Sequence, residues 1–369
     1  MPNIEGVPVQ ATGLLTISLP AVAANWRHIG ALVGPDCAVA AVVKAQAYGL
    51  GAAPVTRALL DAGCRSFFLA TVDEGIELRQ AVGPRADVTL AILGGPLATG
   101  TGLLLEHGLT PVLNDPGQID SWRRKAAGRP AIINIDTGMS RLGLSAVDVA
   151  KLAADPTALE GIALSGVMSH LACPDETAHP LNALQRERFA TLAAMLPRAP
   201  LSLAASSGIF LGSAYHHQMV RPGMALYGLN PTPDRPNPMA QVVAVKAKIL
   251  QVREIDANAT VGYGATHTAH RRSRVAILGA GYADGYLRAA GNRASVRIGR
   301  HAAPVIGRIS MDLITVDVTD IPPADLHPEG WATLLGPDYG VDDLARDSGT
   351  IGYEILTRLS SRLHRVYIS

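Results

Sequence analysis

Eight short apolar runs, most of them followed by a helix-like segment, fill the first two-thirds of the chain and restrict its fold more than any other feature. The runs lie at residues 37–44, 67–71, 88–93, 110–113, 131–136, 162–170, 201–206 and 218–221. Apolar strands that alternate with helices predict a parallel sheet, and eight such units predict a closed (β/α)8 barrel of the TIM type. One helix-like segment has Asp73 as a predicted N-cap, and another ends on Gly63 as a predicted C-cap.

The composition of the chain changes after a proline-rich stretch at residues 231–238. Proline neither continues a helix nor pairs in the middle of a sheet, so this stretch predicts a linker. The chain beyond it is rich in strand-forming residues, as at 241–255, and predicts a mainly β domain. We therefore expect a barrel at 14–234 and a mainly β C-terminal domain at 235–369.

Composition and cysteine usage argue against several classes of protein. The 369 residues are 48% hydrophobic with a formal net charge of +1, which gives no electrostatic footprint for nucleic acid or an anionic membrane. No apolar run approaches the length of a membrane span, and the first residues lack the pattern of a signal peptide. Cys37, Cys64 and Cys173 form neither a disulfide framework nor a metal-ligand pattern. We therefore expect a cytoplasmic protein without a metal site.

Polar side chains gather where the predicted strands end, which is where active sites of such barrels lie. The set comprises Lys44, the loop 136–141 with Arg141, His170, Ser206, Arg221 and Gly223. A lysine at the end of a buried strand has a lowered pKa, and its free amine can form a Schiff base. The loops after strands seven and eight often bind phosphate. Each residue alone has an ordinary structural explanation, but their joint placement predicts pyridoxal 5′-phosphate (PLP) as the cofactor.

Seven segments carry a resemblance to a known enzyme family. They are AVVKAQAYGLG (41–51), IDTGMSRLG (135–143), VRPGMALYG (220–228), GYG (262–264), GYADGYLR (281–288), GRISMDLITVDV (307–318) and YEILTRLSSRLHRVY (353–367). In order and spacing they resemble the alanine racemases, PLP-dependent enzymes of the fold type III barrel family, over nearly the whole chain. The resemblance implies that residues 1–13 form a strand that joins the C-terminal domain. It also implies a head-to-tail homodimer with shared active sites, and a role in supplying D-alanine for cell-wall peptidoglycan.

The resemblance further implies a two-base mechanism. Lys44 would carry PLP and act as the base on one face of the substrate, while Tyr263, contributed by the other subunit, would act on the opposite face. Arg221 would face the ring nitrogen of PLP, His170 would pack on the ring, and Arg141 would contact the phenolic oxygen and the substrate. Racemisation removes a proton from one face and returns a proton to the other, so it needs two such groups. Because arginine keeps its proton, a ring nitrogen beside Arg221 stays unprotonated, which we expect to limit transamination.

Other residues acquire roles from the same resemblance. The PLP phosphate would be held by Tyr48, Ser206, Gly223, Met224 and Tyr353. The main-chain amide of Met311 would meet the substrate carboxylate. Substrate would enter the active site through a gate formed by Tyr282, Arg288 and Asp312, and would contact these residues.

Several positions depart from the pattern of the family. Asn134 stands where most members carry a lysine that becomes carbamylated and hydrogen-bonds the arginine at the position of Arg141. Asparagine cannot form a carbamate, which leaves Arg141 to be oriented by Asn134, by Asp136 or by a bound anion such as chloride. Four further positions replace the usual asparagine, histidine, asparagine and cysteine, respectively: Gln46, Leu50, Ala205 and Ser310. We expect these changes to alter affinity or rate, and not the class of reaction.

Three other functions share parts of this pattern. Family members without the carbamylated lysine include broad-specificity and serine-type racemases, so a wider substrate range is the main alternative. A PLP-dependent amino-acid decarboxylase of the same two-domain build would use the same lysine but would not need Tyr263. It usually has a glycine-rich phosphate loop and a late cysteine, and neither is found in this sequence. A non-catalytic PLP-binding protein would consist of a single barrel and would lack the β domain.

Overall fold

The computed structural model describes residues 7–368. The chain forms two compact units, of which one is Val22–Ala240 and the other combines the segment up to Ala21 with Gln241 onward. Strand β1 (Gly13–Ser18) belongs to the second unit and pairs there with two strands of the C-terminal region. The strand predicted at 1–13 lies partly outside the described residues, and the predicted domain limits stay predictions.

The first unit is a parallel barrel. Its strands are β2 (Ala38–Val39), β3 (Ala41–Val42), β4 (Ser66–Leu69), β5 (Thr89–Ile92), β6 (Thr110–Leu113), β7 (Pro130–Asn134), β8 (Ala163–Met168), β9 (Leu201–Ser202) and β10 (Met219–Val220). Strands β3 to β9 pair in chain order, and β10 pairs in parallel with β2. A parallel bridge from Ala205 to Arg221 joins the ends of β9 and β10 and closes the ring. Because β2 and β3 are two parts of one predicted strand, the prediction of an eight-stranded barrel is confirmed.

Two details of the predicted strands are wrong. The first run was predicted to be a strand through Lys44, but it is interrupted at Ala40 and β3 ends at Val42. The seventh was predicted to end at Ser206, yet β9 is only two residues long and Ser206 begins a short helix. After β3, the amide of Ala45 donates to the side chain of Glu74 instead of to a neighbouring strand. After β9, the Ser206 hydroxyl accepts the amides of Gly223 and Ala225.

Helices surround the barrel strands. They are α1 (Leu19–Val33), α2 (Lys44–Tyr48), α3 (Ala52–Ala62), α4 (Val72–Val82), α5 (Thr101–Glu106), α6 (Pro116–Lys125), α7 (Ala146–Ala154), α8 (Pro180–Ala193) and α9 (Ser206–Ile209). Gly63 ends α3 with φ 111°, so the predicted C-cap is confirmed. Asp73 is not an N-cap: Thr71 caps α4 by accepting a hydrogen bond from the amide of Glu74, and Asp73 lies in the first turn.

The second unit is mainly β, as predicted. Its further strands are β11 (Val243–Ile255), β12 (Thr260–Val261), β13 (His267–Thr268), β14 (Ser273–Leu278), β15 (Ser295–Ile298), β16 (His301–Pro304), β17 (Ile314–Asp317), β18 (Trp331–Leu335) and β19 (His364–Ile368). The main sheet runs β16-β15-β18-β11-β1-β19, with β14 paired to β11 and β17 paired to β14. Strand β1 is antiparallel to β11 and parallel to β19. Two helices, α10 (Val341–Ser348) and α11 (Gly352–Arg358), complete the unit.

Strand β11 shows how the sheet forms its core. Buried and less buried positions alternate along its first half, so Val243, Val245, Ala247 and Ile249 face the interior. Short 3-10 turns carry several of the predicted site residues, at Ser213–Tyr215, Met224–Tyr227, Tyr263–Ala265, Tyr282–Asp284, Arg288–Ala290 and Pro323–Asp325. Within residues 7–368, none of the helices combines the length and the apolar character that crossing a bilayer requires.

Candidate active site

Lys44 opens a turn with an unusual backbone. The turn, which we name the Lys44 turn, comprises residues Lys44–Tyr48 and follows directly on β3 through Val43. Its last four residues are left-handed, with φ between 51° and 57°, although none of them is glycine. A left-handed conformation costs about 1–2 kcal/mol for each such residue. The surrounding structure must therefore hold this turn in place.

Hydrogen bonds to two helices hold the Lys44 turn. The Glu74 carboxylate of α4 accepts hydrogen bonds from the amides of Ala45 and Ala70, each at 2.8 Å. Gln46 donates its side-chain amide to Glu77 over 3.0 Å and accepts a hydrogen bond from the Ala52 amide over 3.3 Å. Position 46 departs from the family, yet its longer side chain bridges α3 and α4. The sequence does not reveal Glu74 as a site residue, because nothing local signals a contact between residues 29 positions apart.

The Lys44 amine is half-buried at the barrel mouth. Burial lowers its pKa, the positive charge of Arg141 lowers it further, and the Glu74 carboxylate acts in the opposite direction. The amine is thus easier to deprotonate than an exposed lysine. Its catalytic role stays a prediction.

Arg221 is buried below the same mouth, with 2% of its surface exposed. Its guanidinium donates to the carbonyl oxygen of Ser169 at 2.6 Å and to that of Leu203 at 3.5 Å, and it also donates to the Ser202 hydroxyl. Burial lowers the pKa of Arg221 to about 10, and no carboxylate of the described residues contributes to that shift. The arginine is therefore a buried cation stabilised by neutral oxygens, next to the space enclosed by the strand ends.

His170 follows β8 and is half-buried. Burial lowers its pKa to about 3, and the positive charges of Arg221, Arg141 and Lys44 act in the same direction. The imidazole is therefore neutral at physiological pH. Gln185 of α8 donates to the His170 carbonyl oxygen over 2.9 Å and fixes the main chain there. Three cationic groups around one neutral imidazole make this mouth suited to an anionic ligand.

A cradle of main-chain amides forms where β9 and β10 end. The Ser206 hydroxyl accepts hydrogen bonds from the amides of Gly223, at 3.0 Å, and Ala225, at 3.2 Å. A Cβ atom at Gly223 would overlap the Tyr48 hydroxyl and press on Val42, so only glycine allows this approach. Met224 follows in the same turn and is buried. The structure thus brings together the predicted phosphate-binding residues of the barrel, namely Tyr48, Ser206, Gly223 and Met224.

The ring of Tyr48 packs against the ring of a second tyrosine, Tyr227. The centroids of the two rings lie 4.7 Å apart, and the Tyr227 hydroxyl donates to the Val42 carbonyl oxygen over 2.8 Å. Leu50, where the family usually has histidine, is fully buried just beyond the turn. The Lys44 turn and the amide cradle are therefore two sides of one site.

The Arg141 loop is tied to the barrel by Asn134. The Asn134 side-chain amide donates to the Leu142 carbonyl oxygen at 3.1 Å and to the Asn114 side-chain oxygen at 2.8 Å. The Asp136 carboxylate is occupied by amides of its own loop, at Gly138, Met139 and Ser140. Asn134 thus acts on Arg141 through the main chain of the next residue. Asn114, which orients the Asn134 amide, was not among the residues identified from the sequence.

The remaining predicted residues lie in the second unit. Gly281 packs against the main chain of Ser310 and Met311, and the amides of Tyr282 and Ala283 donate to those two carbonyl oxygens at 3.1 and 3.0 Å. This pairing brings Tyr282 and Met311 together. The Ser310 hydroxyl closes the turn by accepting a hydrogen bond from the Leu313 amide over 3.1 Å.

An arginine links the two turns. Arg362 contacts the Asp312 carboxylate at 2.7 Å and the Asp284 carboxylate at 3.1 Å. Asp284 in turn accepts a hydrogen bond from the Gly281 amide over 2.8 Å. Arg288 lies in its own 3-10 turn a few residues further on.

Apolar and aromatic side chains of this second unit are exposed. Tyr263 is 72% exposed, Met311 52% and Tyr282 42%, while Tyr353, on α11, is 39% exposed. The turn that carries Tyr263 packs against the main chain of Arg308, which leads into the Met311 turn.

Two family profiles match the chain in succession. The profile described as alanine racemase, N-terminal domain, matches residues 17–231, and that described as alanine racemase, C-terminal domain, matches residues 242–367. A curated alanine racemase from Rhodospirillum rubrum is 50% identical over 362 residues, which cover 97% of this chain and 96% of that protein. A catabolic alanine racemase from Mesorhizobium japonicum is 47% identical over 376 residues, with 99% and 97% covered.

Solved structures agree with these matches. The alanine racemase from Bartonella henselae with covalently bound pyridoxal phosphate has a TM-score of 0.91 and 40% identity, covering 97% of this chain and 100% of that chain. The biosynthetic alanine racemase from Pseudomonas aeruginosa has a TM-score of 0.90 and 32% identity, covering 98% and 100%. The sequence-based identification of the family, and with it of an isomerase, is confirmed: the chain belongs to the alanine racemase family.

Proposed function

We propose that this protein is a PLP-dependent racemase that interconverts L- and D-alanine. The observation that carries the proposal is the position of Lys44, half-buried with a lowered pKa, opposite the amide cradle around Gly223. A relative of 40% identity is described with pyridoxal phosphate bound covalently. A lysine that can lose its proton is the group that forms such a bond.

The residues of the barrel mouth fit PLP. The Ser206 hydroxyl, whose oxygen accepts the amides of Gly223 and Ala225, would donate its own hydrogen to the phosphate, with Tyr48, Gly223 and Met224 beside it. Arg221 can only donate hydrogen bonds, so it would pair with an unprotonated ring nitrogen. When bound, the cofactor supplies a conjugated ring that stabilises negative charge on the substrate α-carbon.

Two side chains would move the proton. Burial lowers the pKa of Lys44 and so favours its free amine, which would act as a base on one face of the substrate. Tyr263 would act on the other face. Its 72% exposure on a single chain supports a site completed by a second copy of the chain. His170, which is neutral, would support the cofactor ring without adding charge.

The second unit would admit and orient the substrate. The main-chain amide of Met311 would bind the carboxylate, and Tyr353 would add to the phosphate contacts. The Arg362 contacts to Asp312 and Asp284 support a gate in which Tyr282 has a fixed place. We propose that two such chains form a head-to-tail homodimer, each with a barrel at 14–234 and a β domain at 235–369 joined by residues 1–13.

Whether the enzyme makes or consumes D-alanine depends on the supply of each enantiomer in the cell, and not on the enzyme. L- and D-alanine are mirror images of equal free energy, so the reaction has no intrinsic direction. We propose that a cytoplasmic enzyme of this kind supplies D-alanine for peptidoglycan, in line with the relative described as biosynthetic. The relative of 47% identity described as catabolic favours breakdown of D-alanine as the second candidate. Deletion of the gene separates them, because only the first role makes growth depend on added D-alanine.

The substrate range is the other open choice. Asn134 replaces the lysine of most family members, and members without that lysine include racemases of broader specificity. This departure favours turnover of larger amino acids as an alternative. A difference of one methylene or hydroxyl is worth only about 1–3 kcal/mol in such pockets.

One chiral assay tests the proposal. PLP-saturated protein is incubated separately with L-alanine, L-serine, L-lysine and L-arginine, and a Lys44→Ala variant serves as the control. We expect D-alanine to form fastest and the control to form none. Comparable turnover of serine or of the basic amino acids would establish the broader racemase. Release of carbon dioxide without racemisation would establish the decarboxylase and refute the proposal.

A further inference from the structure

Glu74 occupies a special place among the groups around the Lys44 turn. One carboxylate oxygen accepts the amide of Ala45, the residue directly after Lys44, and the other accepts the amide of Ala70, the residue directly after β4. Both distances are 2.8 Å. A single carboxylate therefore links the ends of the two neighbouring strands β3 and β4 at the barrel mouth. Bonds from main-chain amides to a charged acceptor are stronger than those between neutral groups.

Main-chain hydrogen bonds hold the rest of the Lys44 turn. Main-chain bonds hold the far end of the turn, from Gly49 to Ala45 at 2.7 Å and from Gly51 to Gln46 at 2.7 Å. A cavity of about 210 Å³ lies against the turn, lined in part by Val43, Gln46, Glu74 and Glu77. Side-chain packing is therefore incomplete beside Gln46. The exposed residues Ala45 and Gln46 depend on hydrogen bonds for their left-handed conformation, whereas Ala47 and Tyr48 are buried.

We propose that Glu74 is a positioning residue for the reaction: its carboxylate fixes the Ala45 amide and thereby the place from which the Lys44 side chain reaches the cofactor and the substrate. The inference rests on the proposed role of Lys44. Glu74 does not contact the reacting atoms. Among residues 7–368, the charged and titratable groups that face the Lys44 amine are Arg141, His170 and Glu74, and of these Glu74 is the negative one.

The chain provides a matched control. Asp73 lies beside Glu74 in the first turn of α4 and is exposed. Replacement of either carboxylate by its amide removes one negative charge from the same helix end. Only Glu74→Gln removes an acceptor from the strand ends, because Asp73 takes no part in the contacts with Ala45 and Ala70. Any general effect of charge at the start of α4 is therefore shared by Asp73→Asn.

The experiment compares the two variants as holoenzymes. Amide hydrogen exchange, read by mass spectrometry, is measured for the peptides that contain Ala45 and Ala70. In Glu74→Gln we expect exchange in these peptides to accelerate by about tenfold or more, because an amide that loses its acceptor is less protected against exchange through local opening. Exchange in peptides of β8 should be unchanged. We expect kcat to fall about tenfold with KM within about twofold, because only the proton-transfer geometry changes. The acidic limb of kcat moves to lower pH, because the carboxylate raises the pKa of Lys44.

Each outcome decides the matter. Unchanged exchange and kcat in Glu74→Gln overturn the inference, and so does an equal loss in Asp73→Asn. If Glu74→Gln does not fold, Glu74→Asp keeps the charge with a shorter reach. It should then retain the acidic limb but lose several-fold in kcat, and wild-type kcat in that variant would overturn the inference.

Failure of the proposed function is seen separately. Borohydride reduction followed by peptide mapping shows whether PLP is attached to Lys44 in the wild-type protein. Its absence there would refute the role of Lys44 and leave the exchange result for Glu74 standing as a contact without that function.

Discussion

The guanidinium of Arg221 donates to the main-chain carbonyl oxygen of Ser169 over 2.6 Å. Ser169 directly precedes His170, so the buried cation and the neutral imidazole are linked through one peptide unit. The Ser169 hydroxyl in turn lies 2.8 Å from that of Thr137, at the start of the Arg141 loop. The strand ends that carry the predicted site residues are thus joined by hydrogen bonds that satisfy a buried charge.

Arg221→Lys should lower kcat/KM for alanine by at least about tenfold, because an ammonium cannot reach all of the Ser202, Ser169 and Leu203 oxygens. The steady-state rates are measured in both directions. Arg188→Lys is the control, since Arg188 is exposed and donates to the Thr137 carbonyl oxygen over 3.2 Å. Equal rates for Arg221→Lys and the wild type would show that catalysis does not need the several hydrogen-bond donors of the guanidinium.

Gly223→Ala should weaken PLP binding by about tenfold or more, because the new Cβ takes the place of the Tyr48 hydroxyl beside the amide cradle. PLP affinity is measured by titrating cofactor into protein from which it has been removed. Gly102→Ala is the matched control, since a Cβ at Gly102 meets no atom within 4 Å. A Gly223→Ala protein that binds PLP like the control would mean that the phosphate lies elsewhere.

His170 should make folding stability depend on pH. The unfolded chain binds a proton on this imidazole below about pH 6.5, whereas the folded protein binds it only near the pKa of about 3. The unfolded state therefore holds more protons between these two values, and the free energy of unfolding rises with pH through that window and levels off above it.

The prediction is tested with a His170→Asn variant. From pH 7.5 to pH 5, urea unfolding of cofactor-free wild-type protein should lose about 1–2 kcal/mol more than that of the variant. Parallel curves for the two proteins would show that His170 titrates normally in the folded state.

Asn134→Leu should raise KM for alanine several-fold, with a smaller effect on kcat. The leucine leaves the Leu142 carbonyl and the Asn114 side chain without their donor, and so loosens the loop that carries Arg141. Asn237→Leu loses a comparable bond to the Gly228 carbonyl, 2.8 Å long, in the linker, and should change neither constant. An unchanged KM in Asn134→Leu would point to another group that orients Arg141.

The barrel could be predicted from the sequence because its strands are buried on both faces and read as apolar runs. The lysine, the histidine and the arginines could be found because polar groups at strand ends stand out against those runs. Gly223 could be found as well, because the sequence around it is typical of a turn at a strand end. These features depend on residues close together in the chain.

The conformation of the Lys44 turn could not be predicted. Ala45, Gln46 and Ala47 have no preference for left-handed backbone, and the acceptor that holds Ala45 comes from Glu74 on another helix. The partner of Asn134 was hidden for the same reason, because Asn114 lies on a different strand end. Contacts of this kind depend on the assembled barrel and leave no periodic trace in the sequence.

The measurement that tests the central claim most directly uses two inactive variants. Lys44→Ala and Tyr263→Phe chains carrying different tags are co-expressed, and the mixed dimer is purified by both tags. If Lys44 and Tyr263 meet across the interface, one of the two sites is intact, and the mixed dimer should show about half the racemase activity of the wild type, whereas both parent dimers are inactive or nearly so. If both residues act within one chain, every site carries a defect. A mixed dimer as inactive as its parents would contradict the shared two-base site.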